Sequence, residues 1–422
     1  MARSPLDYFL SRSKWQKIVL LLRERLMALS YWSGKTIGFG PVDVAIERTE
    51  TPLSVKTVTD SSSPQRLQHS SNNVQEHNWR FTASVSIPAE VLEQAALNYE
   101  QDVIEQPDRI NTLFDYRLAL VPGASIVSNG TTHVSVYDAN DEYLPHYSYR
   151  KYGRGRLLGI AKKRRIATSR FLSGVTLNLF GSVENAAGNY GHWMVDGIAQ
   201  LFLALKHYQL SDIDHFLVPV MKYDFQRDSL LAIGIPQHKI VEIPVLSCFG
   251  FEQLLCTSAP RDRSSCNIPG WLIDGYRTAV LPAPESPRGK RLYISRRDAG
   301  SRKFINEDEI ITRLEAAGFE SVEMSSYNFS EKVSLFAHAD IVVGLTGAGM
   351  TNIMFCAPDT RVVELFPASY VTYFYAAMAG YLKLDYRPLI FENHSALSRM
   401  NKYYGNLSLD VARLDDVLQD VI

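Results

Sequence analysis

A chain of 422 residues exceeds one ordinary domain, and 46% hydrophobic residues, with 19 Phe and 22 Tyr, supply enough apolar surface for sizeable cores. That excludes an intrinsically disordered protein and makes two packed α/β domains the natural expectation. The formal net charge of −1 excludes a general polyanion binder, and nucleic acid is not an expected partner. Four cysteines, at 248, 256, 266 and 356, lack C-x-x-C spacing. Neither a zinc site nor a disulfide framework is expected from them, and a reducing compartment suits them.

The N-terminal stretch contains Ile18 to Leu22, an apolar run too short to span a bilayer and interrupted by Arg23, Glu24 and Arg25. No transmembrane helix is predicted. Lys14, Lys17, Arg23 and Arg25 beside Trp15, Leu20, Leu22, Leu26 and Trp32 describe an amphipathic helix that either packs on the protein or lies in a membrane surface. The expectation is a cytoplasmic protein, peripheral at most on the inner face of the plasma membrane. Residues Val58 to Asn78, with two Ser-rich clusters and few apolar residues, read as a linker.

After it, Val91 to Ile104 reads as a helix. Arg117 to Val121 and Thr132 to Tyr137 alternate at period two around Pro122-Gly123 and Asn129-Gly130, which are hairpin signals. Arg150 to Arg170 is basic, and Lys162 to Arg165 forms either a solvated face or a contact for an anionic lipid or phosphate-bearing acceptor. Val175 to Phe180 reads as a strand whose following loop delivers the chain into a helix at His192. His192 and Asp196, four residues apart, then share one helix face. Asp212-Ile-Asp214 precedes the strand His215 to Val220, at the edge opposite to the one where open α/β sheets bind ligands.

Leu281 to Pro287 is a proline-rich connector. From Arg291 to Phe366 strand-like and helix-like patterns alternate, the signature of a parallel sheet wrapped by helices. Asn306 to Ala317 reads as a capped helix stopped by Gly318, Phe319 to Met324 as a strand, and Ser330 to His338 as a second helix. Asp340 to Leu345 reads as a buried strand followed at once by Thr346 to Asn352, a turn opening a helix whose free amides attract phosphate. One sheet edge should therefore carry Ser295-Arg296, the Gly347/Gly349 turn and Glu364. The tail from Asn401 should pack back as a helix.

Ile294-Ser-Arg296, Arg302, Asn306-Glu307, Ala339, Gly347-Ala-Gly349, Thr351-Asn352, Phe355 and Val363-Glu364 stand in an order and spacing that resembles glycosyltransferase family 61. Asn189 to Asp196 is similar to the family's His-Trp-x-x-Asp segment. The resemblance covers roughly Arg117 to Leu389. It departs at Thr346, where the family usually has His. It implies an α/β fold of two Rossmann-like domains facing a cleft, the GT-B arrangement, and an inverting transferase with a nucleotide-sugar donor.

Sugar transfer of this kind needs a base for the acceptor hydroxyl and positive groups for the departing diphosphate. Asp196 is the candidate base, with His192 positioning it, binding the sugar, or acting as the base itself. Arg296 and Arg302 are the candidate hydrogen-bond donors to the leaving phosphates, since guanidinium forks match phosphate oxygens. Thr346, Gly347, Ala348, Gly349 and Asn352 are placed as further donor contacts, and Glu364 as a carboxylate for ribose or sugar hydroxyls. No metal and no cofactor is expected; the nucleotide-sugar is a co-substrate, and the acceptor is a glycan or lipid-linked saccharide of a surface polysaccharide. The predicted organisation is residues 1–80, an amphipathic helix and linker; 81–286, an acceptor-side α/β domain; 287–400, a donor-side α/β domain; and 401–422, a helix packing back. Two rival readings fit the same architecture: a polysaccharide pyruvyl transferase, and a non-catalytic nucleotide-sugar or glycan-binding subunit.

Overall fold

The computed structural model describes residues 75–99, 109–128, 134–148, 168–180, 188–244, 247–260, 268–281, 288–392, 405–420 and 422. The amphipathic N-terminal stretch, the basic run at 162–165 and the connector at 282–287 lie outside them. The protein is mixed α/β with two sheets.

The first sheet is built from β1 (Gln75–Ser86), β2 (Arg109–Pro122), β3 (Ser125–Ser128), β4 (Val134–Tyr137), β5 (Arg170–Asn178), β6 (His215–Pro219), β7 (Ile240–Ile243) and β8 (Ser247–Thr257). Its path runs β1-β2-β8-β5-β6-β7. The β8-β5-β6-β7 part is parallel, and β1, β2, β3 and β4 add antiparallel arms. Two expectations are refined here and one is met. β1 begins at Gln75, inside the stretch read as a linker. Pairing with β2 over twelve residues supplies a structure that its polar composition conceals. The turn at Pro122-Gly123 does not fold β2 back on β3. Gly123, at φ 63°, lets both strands continue along β8, with its N–H donating to the Glu252 carbonyl at 3.0 Å. The expected pairing around Asn129-Gly130 does occur, between β3 and β4.

The second sheet is wholly parallel, in the order β10-β9-β11-β12-β13. It comprises β9 (Lys290–Ile294), β10 (Glu320–Val322), β11 (Ala339–Leu345), β12 (Arg361–Pro367) and β13 (Asp385–Phe391). Its central strands are almost continuous Val, Ile and Leu, as a sheet covered on both faces requires.

The helices, in chain order, are α1 (Ala89–Tyr99), α2 (190–204), α3 (Asp224–Ala232), α4 (Gly270–Val280), α5 (Glu307–Ala316), α6 (Phe329–Ala337), α7 (Phe374–Leu382) and α8 (Val411–Gln419). One apolar core joins the two sheets. Trp193 and Phe202 of α2, Tyr276 of α4, Phe329 and Phe336 of α6 and Phe355 are buried in it together with strand residues of both halves. α1 packs on Phe366, Val371 and Ala376 of the C-terminal half, and Gln94 Nε2 donates to the Ala368 carbonyl at 2.9 Å.

Asn306 precedes α5 as expected but does not cap it. Its amide instead clamps the tail: Nδ2 donates to the Leu409 carbonyl at 2.7 Å, and Leu409 N–H donates to Oδ1 at 3.2 Å. The tail does pack back as α8, with Leu409, Leu414 and Leu418 buried against Phe304, Ile310 and Leu314. Arg313 holds Asp415 through Nε at 2.5 Å and Nη2 at 2.7 Å. The helix expected after Gly347 is a 3₁₀ helix, Ala348–Phe355, in place of an α-helix. Asn352 Nδ2 takes the Gly349 carbonyl at 2.9 Å, a side-chain bond that competes with regular α-helical pairing.

Candidate active site

α2 leaves the carboxyl end of β5 and starts on Asn189, whose Oδ1 accepts from His192 N–H at 3.2 Å. Its middle, Trp193–Ile198, is π-helical, a widened turn often found at functional sites. Trp193 Nε1 donates to Ser229 Oγ at 2.9 Å, and Tyr276 OH donates to the Met194 carbonyl at 2.7 Å, so both flanks of the widened turn are tied into the core. His192 and Asp196 share one face, as their spacing predicts: Nδ1 lies 2.7 Å from Asp196 Oδ2. Asp196 is completely buried, whereas the His192 side chain is 31% exposed. The accessible member of the pair is therefore the imidazole, and the carboxylate stands behind it.

Across the core, β9 ends at Ile294 and hands Ser295 and Arg296 to the sheet edge. Glu307, buried at the start of α5, gathers this corner. One of its oxygens, Oε1, accepts from Tyr293 OH at 3.1 Å, Ser295 Oγ at 2.9 Å and Arg296 N–H at 2.7 Å. Arg296 Nη2 donates to the Ser301 carbonyl at 2.7 Å. Arg302 takes a left-handed backbone, φ 55°, uncommon for a side chain of its size, and lays its guanidinium over the Tyr370 ring at 4.5 Å.

Both arginines converge on Gly347. A Cβ there would stand 2.5 Å from Arg296 Nη1 and 3.6 Å from Arg302 Nη2. Nε of each guanidinium is buried without a hydrogen-bond partner. Among the described residues neither arginine lies in an ion pair, whereas Arg297, next in sequence, pairs with Asp308. Burial and then the like charge of Arg302 hold Arg296 below its ordinary pKa. Two half-buried cations, each with a buried Nε that has no hydrogen-bond partner, form a site that favours an anion.

Glu364 lies on β12 at the level of Gly344 and is fully buried. Burial pushes its carboxyl up to about 8, against the opposing hydrogen bonds of Tyr386 and Thr346 and the charge of Arg302. Tyr386 OH donates to Oε2 at 2.6 Å, while Oε1 has no partner. Thr346, where a His is usual in the family pattern, is buried; its N–H is spent on the Leu365 carbonyl at 3.0 Å.

The two halves of the site meet at the start of α2. Tyr190 OH donates to Asn352 Oδ1 at 2.5 Å. A Cβ on Gly191 would stand 3.0 Å from Thr351 Oγ1 and 3.8 Å from the Ala348 Cα. Tyr375 OH donates to the Gly347 carbonyl at 2.6 Å and fixes the turn from below. Arg296, Arg302 and Gly347 are thus brought together, with Glu364 and Thr346 close by. The 347–352 turn packs on the helix that carries His192 and Asp196. Asn352 is fully buried between Gly349 and Tyr190, so its side chain shapes the turn from inside. Glu307, Tyr190, Tyr375 and Tyr386 were not singled out as site residues from the sequence. Glu307 stood in the quoted pattern, and only its inward turn reveals its three bonds; the tyrosines carry no local signal.

Asp212 and Asp214 lie at the amino ends of β5 and β6, away from this site. They accept from Gln209 N–H and Val175 N–H, each at 2.8 Å, which are turn bonds.

Residues 190–363 match the family model described as Glycosyltransferase 61. An alpha-1,3-arabinosyltransferase of Oryza sativa subsp. japonica is 28% identical over 211 residues, covering 44% of this chain and 35% of that protein. An EGF domain-specific O-linked N-acetylglucosamine transferase of Drosophila melanogaster is 27% identical over 146 residues, covering 32% and 28%. A beta-1,2-xylosyltransferase of the same rice is 23% identical over 201 residues, covering 43% and 42%. The chain therefore spans less than half the length of these relatives. The matched region holds the His192–Asp196 pair and the arginine cradle, and over it the chain is similar to glycosyltransferase family 61.

Proposed function

We propose that the protein transfers a sugar from a nucleotide-sugar donor to a hydroxyl of a glycan or lipid-linked saccharide, with inversion and without an essential metal. The observation that carries this reading is the pair of half-buried guanidiniums converging on Gly347, each with a buried Nε that has no hydrogen-bond partner. The diphosphate would bind against these guanidiniums, and its charge, growing as the glycosidic bond breaks, would be met by donors already in place. The acceptor hydroxyl would give its proton to the His192 ring on the edge away from Asp196. Of the alternatives open to the sequence, the burial of Asp196 favours this one: the carboxylate orients the imidazole and steadies its charge. The two sheets would act as the two Rossmann-like lobes of a GT-B enzyme, with donor contacts on the parallel sheet. The relatives, named for arabinosyl, xylosyl and N-acetylglucosaminyl transfer, support the reaction class and leave the sugar open.

The proposal extends to a role in surface polysaccharide synthesis at the inner face of the plasma membrane, supported by the basic, Trp-bearing N-terminal stretch. A thermal-shift screen against UDP, GDP, CMP and TDP sugars tests the core of it. One nucleotide class should stabilise the protein, and the shift should vanish in Arg296→Ala. Absence of any shift, or phosphoenolpyruvate consumption in its place, would overturn the reading. Turnover that is lost in chelator and restored by manganese or magnesium would overturn the metal-independent part.

A further inference from the structure

Outside the arginine cradle and the His192 pair, the start of α3 carries an aromatic arrangement that the proposed chemistry does not yet use. Tyr223 is 50% exposed, among the large hydrophobic side chains most open to solvent. Its ring stacks on Phe225 with centroids 5.5 Å apart and planes 8° apart, and about half of the residue remains open to solvent. Phe225 in turn meets Tyr190 edge-on, at 5.3 Å and 83°. Tyr190 is the residue bonded to Asn352, two positions before His192. Lys332 places its ammonium over the Tyr190 ring at 5.3 Å, fixing that ring from the other half of the molecule.

The backbone beneath the exposed ring is held as firmly as the ring itself. Three consecutive N–H groups donate to side chains: Met221 to Glu242 Oε2 at 3.1 Å, Lys222 to Gln226 Oε1 at 2.7 Å and Tyr223 to the same Oε1 at 3.1 Å. Gln226 is fully buried. The ordering cost of this aromatic surface is met in the free protein, which is the condition under which a flat exposed ring binds a partner with little entropy loss.

We propose that Tyr223, backed by Phe225 and Tyr190, is a stacking platform for a pyranose ring of the acceptor saccharide. A pyranose offers a face of C–H bonds with hydroxyls at its rim, and that face matches the electron-rich face of a phenol ring. The platform stands at the carboxyl end of β6, beside the carboxyl end of β5 from which α2 departs, so it adjoins the His192 side of the site. The arginine cradle lies on the other sheet, which assigns the platform to the acceptor and not to the donor. The acceptor role rests on the proposed transferase reading; the saccharide site itself does not.

Saturation-transfer NMR on the full chain tests it, with xylotetraose, cellotetraose, mannotetraose and chitotetraose as probes. At least one should receive saturation at its ring C–H protons. Its affinity should fall about tenfold in Tyr223→Ala and be kept in Tyr223→Trp. The thermal shift given by the nucleotide should be the same in wild type and Tyr223→Ala. A Tyr223-dependent saccharide signal without any nucleotide shift would uphold the platform while defeating the donor reading. Three results would overturn the platform: no tetraose is saturated, Tyr223→Ala binds as wild type does, or Tyr223→Ala loses contact with the nucleobase protons of UDP in place of the sugar.

Discussion

His192 and Asp196 join a surface to a core: the atoms in contact are 2.7 Å apart, yet only the imidazole reaches solvent. Replacing His192 by Ala should lower kcat by roughly 10²–10⁴-fold, the usual contribution of a positioned base. Asp196→Asn keeps the shape but removes the negative charge behind the ring, and should also abolish most transfer. Both variants should retain the nucleotide-induced thermal shift. Full activity of Asp196→Asn in a steady-state assay would remove that carboxylate from the mechanism.

Gly347 has an extended backbone, φ 167°, which any residue can adopt, so its absent side chain is a matter of space and not of strain. Gly347→Ala should leave the melting temperature nearly unchanged while weakening nucleotide binding by about ten- to a hundredfold, the cost of displacing one or two charge-assisted bonds. Isothermal titration measures this directly. Undiminished affinity in that variant would place the diphosphate elsewhere.

Glu364 supplies a pH dependence whose sign follows from burial. Its carboxyl is raised from 4.5 to about 8, so the folded state binds a proton that the unfolded chain releases. Its contribution to stability is full below about pH 4.5 and is lost as pH rises through about 8. Glu364→Gln should therefore lose less stability than wild type between pH 5 and pH 9, as read from melting temperatures across that range. Parallel curves for the two proteins would show that Glu364 is ionised throughout.

Asn306 joins α5 to the tail through two bonds to Leu409, and it makes no side-chain cap on the helix it precedes. Asn306→Ala should cost about 1–2 kcal/mol by leaving the Leu409 N–H and carbonyl without partners. Limited proteolysis should then cut first near 405–410. Loss of helix signal from α5 without exposure of the tail would argue for a capping role after all.

The parallel sheet from Lys290 to Phe391 was largely legible in the sequence, because runs such as Ile341 to Leu345 are apolar on both faces and are bounded by helix patterns. The His192–Asp196 spacing was legible for the same local reason. β1 was not, since Gln75, Glu76, His77 and Asn78 look like linker until a partner strand is known. Nor was the 3₁₀ form of Ala348–Phe355, which depends on where one amide side chain turns. The tyrosines were the least legible of all. Tyr375 sits in an apolar helix and reads as core, and its bond to the Gly347 carbonyl spans 28 residues of chain. Tyr190 spans 162 residues to reach Asn352. Contacts of that range depend on tertiary assembly, and no window of local pattern contains both ends.

At Gly191 the helix carrying His192 and Asp196 approaches the 347–352 turn so closely that a methyl group would sit 3.0 Å from Thr351 Oγ1. This point behaves as a mechanical gauge. Any rocking of one sheet against the other during turnover must open or close the gap there. A small reporter at position 191 would register the motion as a change in its own freedom, and a bulky residue would wedge the halves apart by an amount set by its size.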